Sequence, residues 1–141
     1  MLQSLNKIPI IRTLAMPKHL GPSGTIFGGW IISNMDLAGG IFAWNITNGK
    51  IRTVNCNNIN FIKPVYVADL VNCYTNVLDI YKSSIKIRVD VEIYRSENKT
   101  TINAADGIFT YVAVDDNGKP REIKSIKNIK NINSNTNVIR L

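Results

Sequence analysis

FGGWIISNMDLAGGIFAWNI, residues 27–46, holds a single charged side chain, Asp36, among apolar and small residues. At 100° per residue Phe27, Ile31, Met35 and Phe42 fall broadly on one side, the stripe of a helix that faces a core. Gly29, Ser33, Asp36 and Gly40 follow one another at spacings of 4, 3 and 4 and line a second, narrow strip in which only the aspartate is not small. A strip of this kind admits either a neighbouring helix or strand, or a ligand whose reactive atom must reach the carboxylate. Burying that carboxylate without a partner would cost several kcal/mol. Asp36 therefore caps or pairs with a neighbouring group, or it does chemistry. Four glycines, Ser33, Asn34, Asp36 and Asn45 make the segment a poor membrane span.

Outward from this helix the chain reads as strands. IKIRVDVEI, residues 85–93, alternates strictly, with Ile85, Ile87, Val89, Val91 and Ile93 on one face and Lys86, Arg88, Asp90 and Glu92 on the other. DLVNCYTNVLDIY before it alternates through Val71, Cys73, Thr75 and Val77. TTINAADGIFTYVAVD after it reads as a long strand with a bulge expected at Gly107. IRTVNCNNINFIKPV, residues 51–65, has strand ends around a polar middle of Asn55, Asn57, Asn58 and Asn60, and a further strand is expected over residues 10–16. Turns fall at KPVYVAD, DIYKSS and RSENKT. One short strand, one long helix and four strands make an α+β domain, because a single helix must bury its stripe against the sheet. The expected division is a domain over residues 8–121 and a basic tail over 122–141.

A chain of 141 residues with 45% hydrophobic content can bury a full core as one domain. Of its net charge of +7, four units lie beyond Asp115, in an Asn- and Lys-rich tail without aromatics, so the charge is read first as solvated tail and second as an attraction for anions or phosphate. A nucleic-acid module would interleave aromatics on a basic sheet face, and none is seen. Cys56 and Cys73 form no CxxC and there is one histidine, so a zinc site and a disulfide framework are both unsupported, and two buried free thiols are expected. Asn6, Lys7 and Arg12 interrupt any leader-like run, and a cytoplasmic protein is expected.

The Gly28–Gly29 pair at the helix start lets a group approach the backbone closely. Unpaired N–H groups of the first turn, reinforced by the helix dipole, favour developing negative charge. A carboxylate about two turns further on then suggests acyl transfer, with the amides acting as an oxyanion hole and Asp36 either activating water or attacking directly.

RTLAMP (residues 12–17), GTIFGGWIISNMDLAGG (24–40), NFIKPV (60–65) and YVAVDDNGKPR (111–121) together resemble the acyl-CoA thioester hydrolases of the hotdog fold, in their YciA-like branch. The resemblance covers residues 12–121. It implies a long central helix wrapped by a five-stranded antiparallel sheet, homodimers joined sheet edge to sheet edge, and in some members a hexamer built as a trimer of dimers. It implies an active site at the dimer interface and hydrolysis of acyl-CoA to a short- or medium-chain acid and coenzyme A, with no metal or redox cofactor. Asp36 matches the catalytic acid, and Gly28 and Gly29 match the glycines whose amides lie near the thioester carbonyl. Phe27 and Trp30 are expected to shape the acyl tunnel. Asn60, Lys63, Pro64, Ser83, Ser84, Lys119 and Arg121 are the candidates for contacting coenzyme A, because a multiply anionic ligand needs cations or hydrogen-bond donors. Neither nucleic acid nor membrane is an expected partner. Two positions depart from the family pattern: Gly21 stands where an asparagine is common, and Asn57 where an acid is usual. The competing readings are a hotdog acyl-thioester dehydratase, which would use His19 with the helix acid, and a non-catalytic protein that binds coenzyme A esters.

Overall fold

A computed structural model describes residues 8–124 and Ile132. The elements run β1 (Ile11–Leu14), a 3-10 turn over Pro17–His19, α1 (Gly28–Thr47), β2 (Ile51–Phe61), β3 (Leu70–Ile80), β4 (Ser84–Arg95) and β5 (Thr100–Ala113). The strands form one antiparallel sheet in the order β1-β3-β4-β5-β2, leaving β1 and β2 at its edges. The inward residues of β4, from Ile85 to Ile93, are buried against the helix as their alternation requires, and Lys86, Arg88, Asp90 and Glu92 take the outer face. This is the expected hotdog arrangement.

The helix buries Ile31, Met35, Ala38, Gly39, Phe42, Ala43 and Thr47. Met35 and Phe42 sit in the core with Ile85, Ile87, Phe109 and Tyr111. Phe27 does not join this stripe: it is the N-cap residue, in extended conformation, and its side chain is exposed. The helix ends where Asn48 turns left-handed, φ 60°, and returns its N–H to the Trp44 carbonyl.

Three further expectations are corrected. The first edge strand is shorter than residues 10–16, because Met16 already caps the 3-10 turn. Gly107 is not bulged against β4; it pairs with Val89, and the extra residue of β5 on that side is Ala104. Gly107 instead faces an irregularity on β2, where two residues, Asn58 and Ile59, stand between the Asn57 and Asn60 pairs. Cys73 is buried but Cys56 is exposed, because it lies on the edge strand. Of the basic tail only residues 122–124 and Ile132 are described; Ile123 is buried and donates its N–H to the Lys82 carbonyl, and the remainder lies outside the described residues. No helix among the described residues is long and apolar enough to cross a membrane.

Candidate active site

Asp36 is half-buried on the side of α1 that faces β2 and β5. Thr53 on β2 and Tyr111 on β5 stand opposite one another in the ladder, which brings two hydroxyls from adjacent strands to the same carboxylate. Thr53 Oγ1 donates to Asp36 Oδ1 at 2.8 Å. The Tyr111 hydroxyl lies 2.9 Å from the Asp36 carbonyl oxygen and 3.2 Å from Oδ1, a proton shared between the two. Burial first, then the charge of Asp36 and its hydrogen bond, push the Tyr111 phenol far above its ordinary range, so it stays a donor at any working pH. No hydrogen bond from the described residues reaches Oδ2, and Asp36 forms part of the wall of a mostly apolar groove of about 460 Å³ lined also by Leu37, Gly40, Ile41, Trp44, Ile51 and Thr53.

The start of the helix is a separate place. No side chain caps it and no acidic residue lies in its first turn. The Phe27 carbonyl accepts from Trp30 N–H at 3.1 Å, while Phe27 N–H is held by the His19 carbonyl at 2.8 Å. The two glycines make room for aromatic rings. A Cβ on Gly28 would sit 3.2 Å from Phe61, and one on Gly29 would sit 2.8 Å from the Phe27 ring. Gly28, Phe61, Lys63 and Pro64 line a second cavity of about 340 Å³. At 1.5 Å of rise per residue, Asp36 lies about 12 Å along the axis from Gly28 and about 10 Å from Gly29. One thioester carbonyl cannot meet the amides and the carboxylate of the same helix.

The other candidates divide by location. Lys63 and Pro64 accompany Gly28. Asn60 faces away from the helix, where its Nδ2 donates to Asp106 Oδ1 at 2.9 Å, beside the Arg88–Asp90 pair. Asn57, one of the two departures, shares that outer face, because its partner Ile108 lies two residues along β5 from Asp106, the partner of Asn60. Gly21 donates its N–H to the Thr25 carbonyl within the loop that leads to the helix. Trp30 stacks on His19 with centroids 4.2 Å apart, and His19 Nδ1 accepts the Met16 N–H, so both rings brace the entry to α1. Ser83 and Ser84 lie at the β3–β4 turn, near the other end of the helix, and the Ser83 carbonyl accepts from Ala113 N–H. Arg121 is committed to that end: its guanidinium donates to the carbonyls of Thr47, Val114 and Lys50 and to the Thr47 hydroxyl, satisfying the last turn of α1. The Lys119 backbone closes a turn onto Asp115, and its ammonium is exposed.

Sequence reasoning missed Thr53 and Tyr111. The available signal was Tyr111, which has inward parity with Phe109 and Ala113; a tyrosine sent into a core needs a partner for its hydroxyl. Among the described residues no group of three or more His, Cys, Asp or Glu is arranged to hold a metal ion.

Comparison with known proteins bears on what such a site does. Residues 23–101 match the Thioesterase superfamily. The chain is 47% identical over 125 residues to an uncharacterized acyl-CoA thioester hydrolase of Buchnera aphidicola subsp. Acyrthosiphon pisum, covering 84% of this chain and 93% of that protein. It is 38% identical over 117 residues to the acyl-CoA thioester hydrolase YciA of Escherichia coli (strain K12), covering 81% and 89% respectively. Among solved structures, the hexameric thioesterase y2039 from Yersinia pestis superposes with a TM-score of 0.80 at 42% identity, over 86% of this chain and 98% of that one.

Proposed function

The chain belongs to the thioesterase superfamily, and from that premise we propose that it is an acyl-CoA thioester hydrolase whose Asp36 acts on the thioester carbonyl. The observation that carries the reading is a carboxylate on the wall of a mostly apolar groove, with one oxygen held by two hydroxyls and the other left without a hydrogen bond among the described residues. The groove takes the acyl chain. Asp36 Oδ2 either draws a proton from water as that water attacks the carbonyl carbon, or attacks it directly and is then released by water. In both routes the carbon–sulfur bond breaks, coenzyme A leaves as thiolate, and a carboxylic acid is the other product.

The oxyanion needs donors that Asp36's own helix start cannot deliver across about 12 Å. A second copy of the chain supplies them when its helix runs the opposite way, bringing the Gly28 and Gly29 amides of one protomer beside Asp36 of the other. Two features support this dimer. The edge strand β2 offers its unpaired backbone along eleven residues. Leu37 and Trp44 stand exposed on the helix face beside the groove. That Lys63 shares a cavity with Gly28 supports a role for its ammonium in meeting a phosphate of coenzyme A. Further assembly into a hexamer, a cytoplasmic location and turnover without metal or redox cofactor complete the proposal.

A dehydratase would need a histidine within reach of the helix acid. His19 instead braces the entry to the helix, with its ring stacked on Trp30 and its Nδ1 accepting the Met16 N–H. Hydrolysis is the better reading.

A thiol-release assay across acetyl-, butyryl-, hexanoyl- and palmitoyl-CoA tests it, run beside Asp36→Ala and Asp36→Asn. The expected outcome is turnover by the wild-type chain, undiminished by a chelator, and its loss in both variants with an intact oligomer. Variants that keep wild-type turnover would remove Asp36 from the chemistry.

A further inference from the structure

Resting on the reading that Asp36 carries the chemistry, we propose that Tyr111 is a positioning residue for it. Its phenol, admitted to the helix by Gly39, ties the Asp36 side chain to that residue's own backbone, so that Oδ2 alone is presented to the thioester.

Four observations lead here. Among the described residues, Tyr111 is the one side chain that bridges the Asp36 carbonyl and the Asp36 carboxylate, and through this bridge the side-chain rotamer is fixed relative to the helix rather than to a loop. The tyrosine is itself immobilised: it is fully buried, with its ring stacked near Phe109. Thr53, the other donor, lies exposed on an edge strand, so it lacks that anchorage.

The third observation is Gly39. It is buried in the interior of α1, three residues beyond Asp36 and on the same face, where glycine is an unfavourable helix residue. A Cβ at this position would overlap the Tyr111 hydroxyl and come within 3.0 Å of Cζ. The helix gives up a better helix former at the one place where the phenol must touch its backbone. Fourth, the phenol remains protonated throughout the working range, so it can hold the carboxylate as a donor but cannot replace it as a base.

Tyr111→Phe keeps the ring and removes the hydroxyl. In the thiol-release assay its kcat is expected to fall about tenfold while KM stays within about twofold, because misorientation of Asp36 is felt at the transition state and not in binding. Thr53→Val should lower kcat in the same manner and Thr53→Ser should restore it. In an Asp36→Asn background, Tyr111→Phe should change the residual rate no further, since the phenol acts through the carboxylate. A kcat for Tyr111→Phe within about twofold of wild type would overturn the proposal, as would an equal further loss in the Asp36→Asn background. Crystal structures of the wild type and of Tyr111→Phe give an arm independent of turnover. The Asp36 side chain should occupy one rotamer in the first and more than one in the second, and an unchanged single rotamer refutes the clamp. Absence of turnover by the wild-type chain would refute the hydrolase reading instead, leaving the clamp to be decided by the rotamer comparison.

Discussion

Gly28→Pro is the sharpest test of the oxyanion donors, because it deletes one N–H and almost nothing else. Gly28 is the first residue of α1, a position whose N–H has no place in the intrahelical ladder and where proline fits. A residue before proline must be extended, and Phe27 already is, with φ −60° and ψ 128°. The added ring atoms meet Phe61, whose ring lies 3.2 Å from a Cβ at this site; Phe61 is 52% exposed and can turn away. Stiffening the unfolded chain favours folding by about 0.4–1 kcal/mol, which offsets that shift, so Tm should move by no more than about 5 °C. Loss of one oxyanion donor costs about 3–4 kcal/mol at the transition state, or about 100- to 1000-fold in kcat. Butyryl-CoA hydrolysis measures the rate, circular dichroism the Tm, and Gly28→Ala serves as control, since it adds the same Cβ and keeps the N–H. Wild-type kcat in a folded Gly28→Pro protein would refute the assignment. Equal loss in Gly28→Ala would show that packing at Phe61, not the amide, is what matters.

Three other outcomes are expected. Gly39→Ala should destabilise the fold by about 1–3 kcal/mol through overlap with Tyr111, and adding Tyr111→Phe should recover part of it; strictly additive losses in thermal unfolding would contradict the contact. Arg95→Met leaves Asp69, 3% exposed at its side chain, without the guanidinium that meets it at 2.8 Å, and should cost about 3–5 kcal/mol; a denaturation midpoint near that of the wild type would show that the pair contributes little. Unfolding should expose to thiol reagents one cysteine that the native protein withholds, Cys73, because burial pushes its thiol up to about 12. The sign follows: the folded state keeps its proton on Cys73 where the unfolded chain loses it, so stability present below about pH 9 declines as pH rises from about 9 to about 12, and Cys73→Ala should flatten that decline.

The helix and the strands β3, β4 and β5 were legible from their apolar periods, of which the alternation from Ile85 to Ile93 admits one reading, whereas β2 showed only apolar ends around a polar middle. Asp36 was legible as the lone charge in an apolar helix. The glycines were legible as a pair but were joined to Asp36 as one unit, although eight residues of helix at 1.5 Å each already separate Gly28 from Asp36 by about 12 Å. The bonds of Arg121 to the end of the helix went unread, because nothing local says that residues 111–121 return to Thr47. The bond from Asn60 to Asp106 went unread as well, because it depends on the Asn58–Ile59 irregularity of β2. Thr53 and Tyr111 escaped notice because their meeting depends on the β2–β5 register, which no local pattern encodes.

The interruptions of β2 matter before any substrate is met. A newly made chain with an open, eleven-residue sheet margin is exposed to templating by whatever extended polypeptide lies nearby, the first step toward insoluble deposits. That margin is broken at Val54 and again at Asn58, where φ is 50°, two residues to either side of Cys56. A regular foreign strand finds its ladder interrupted twice, whereas a sister chain laid head to tail about Cys56 carries matching breaks, so the same irregularities that discourage indiscriminate sticking leave self-recognition open during synthesis.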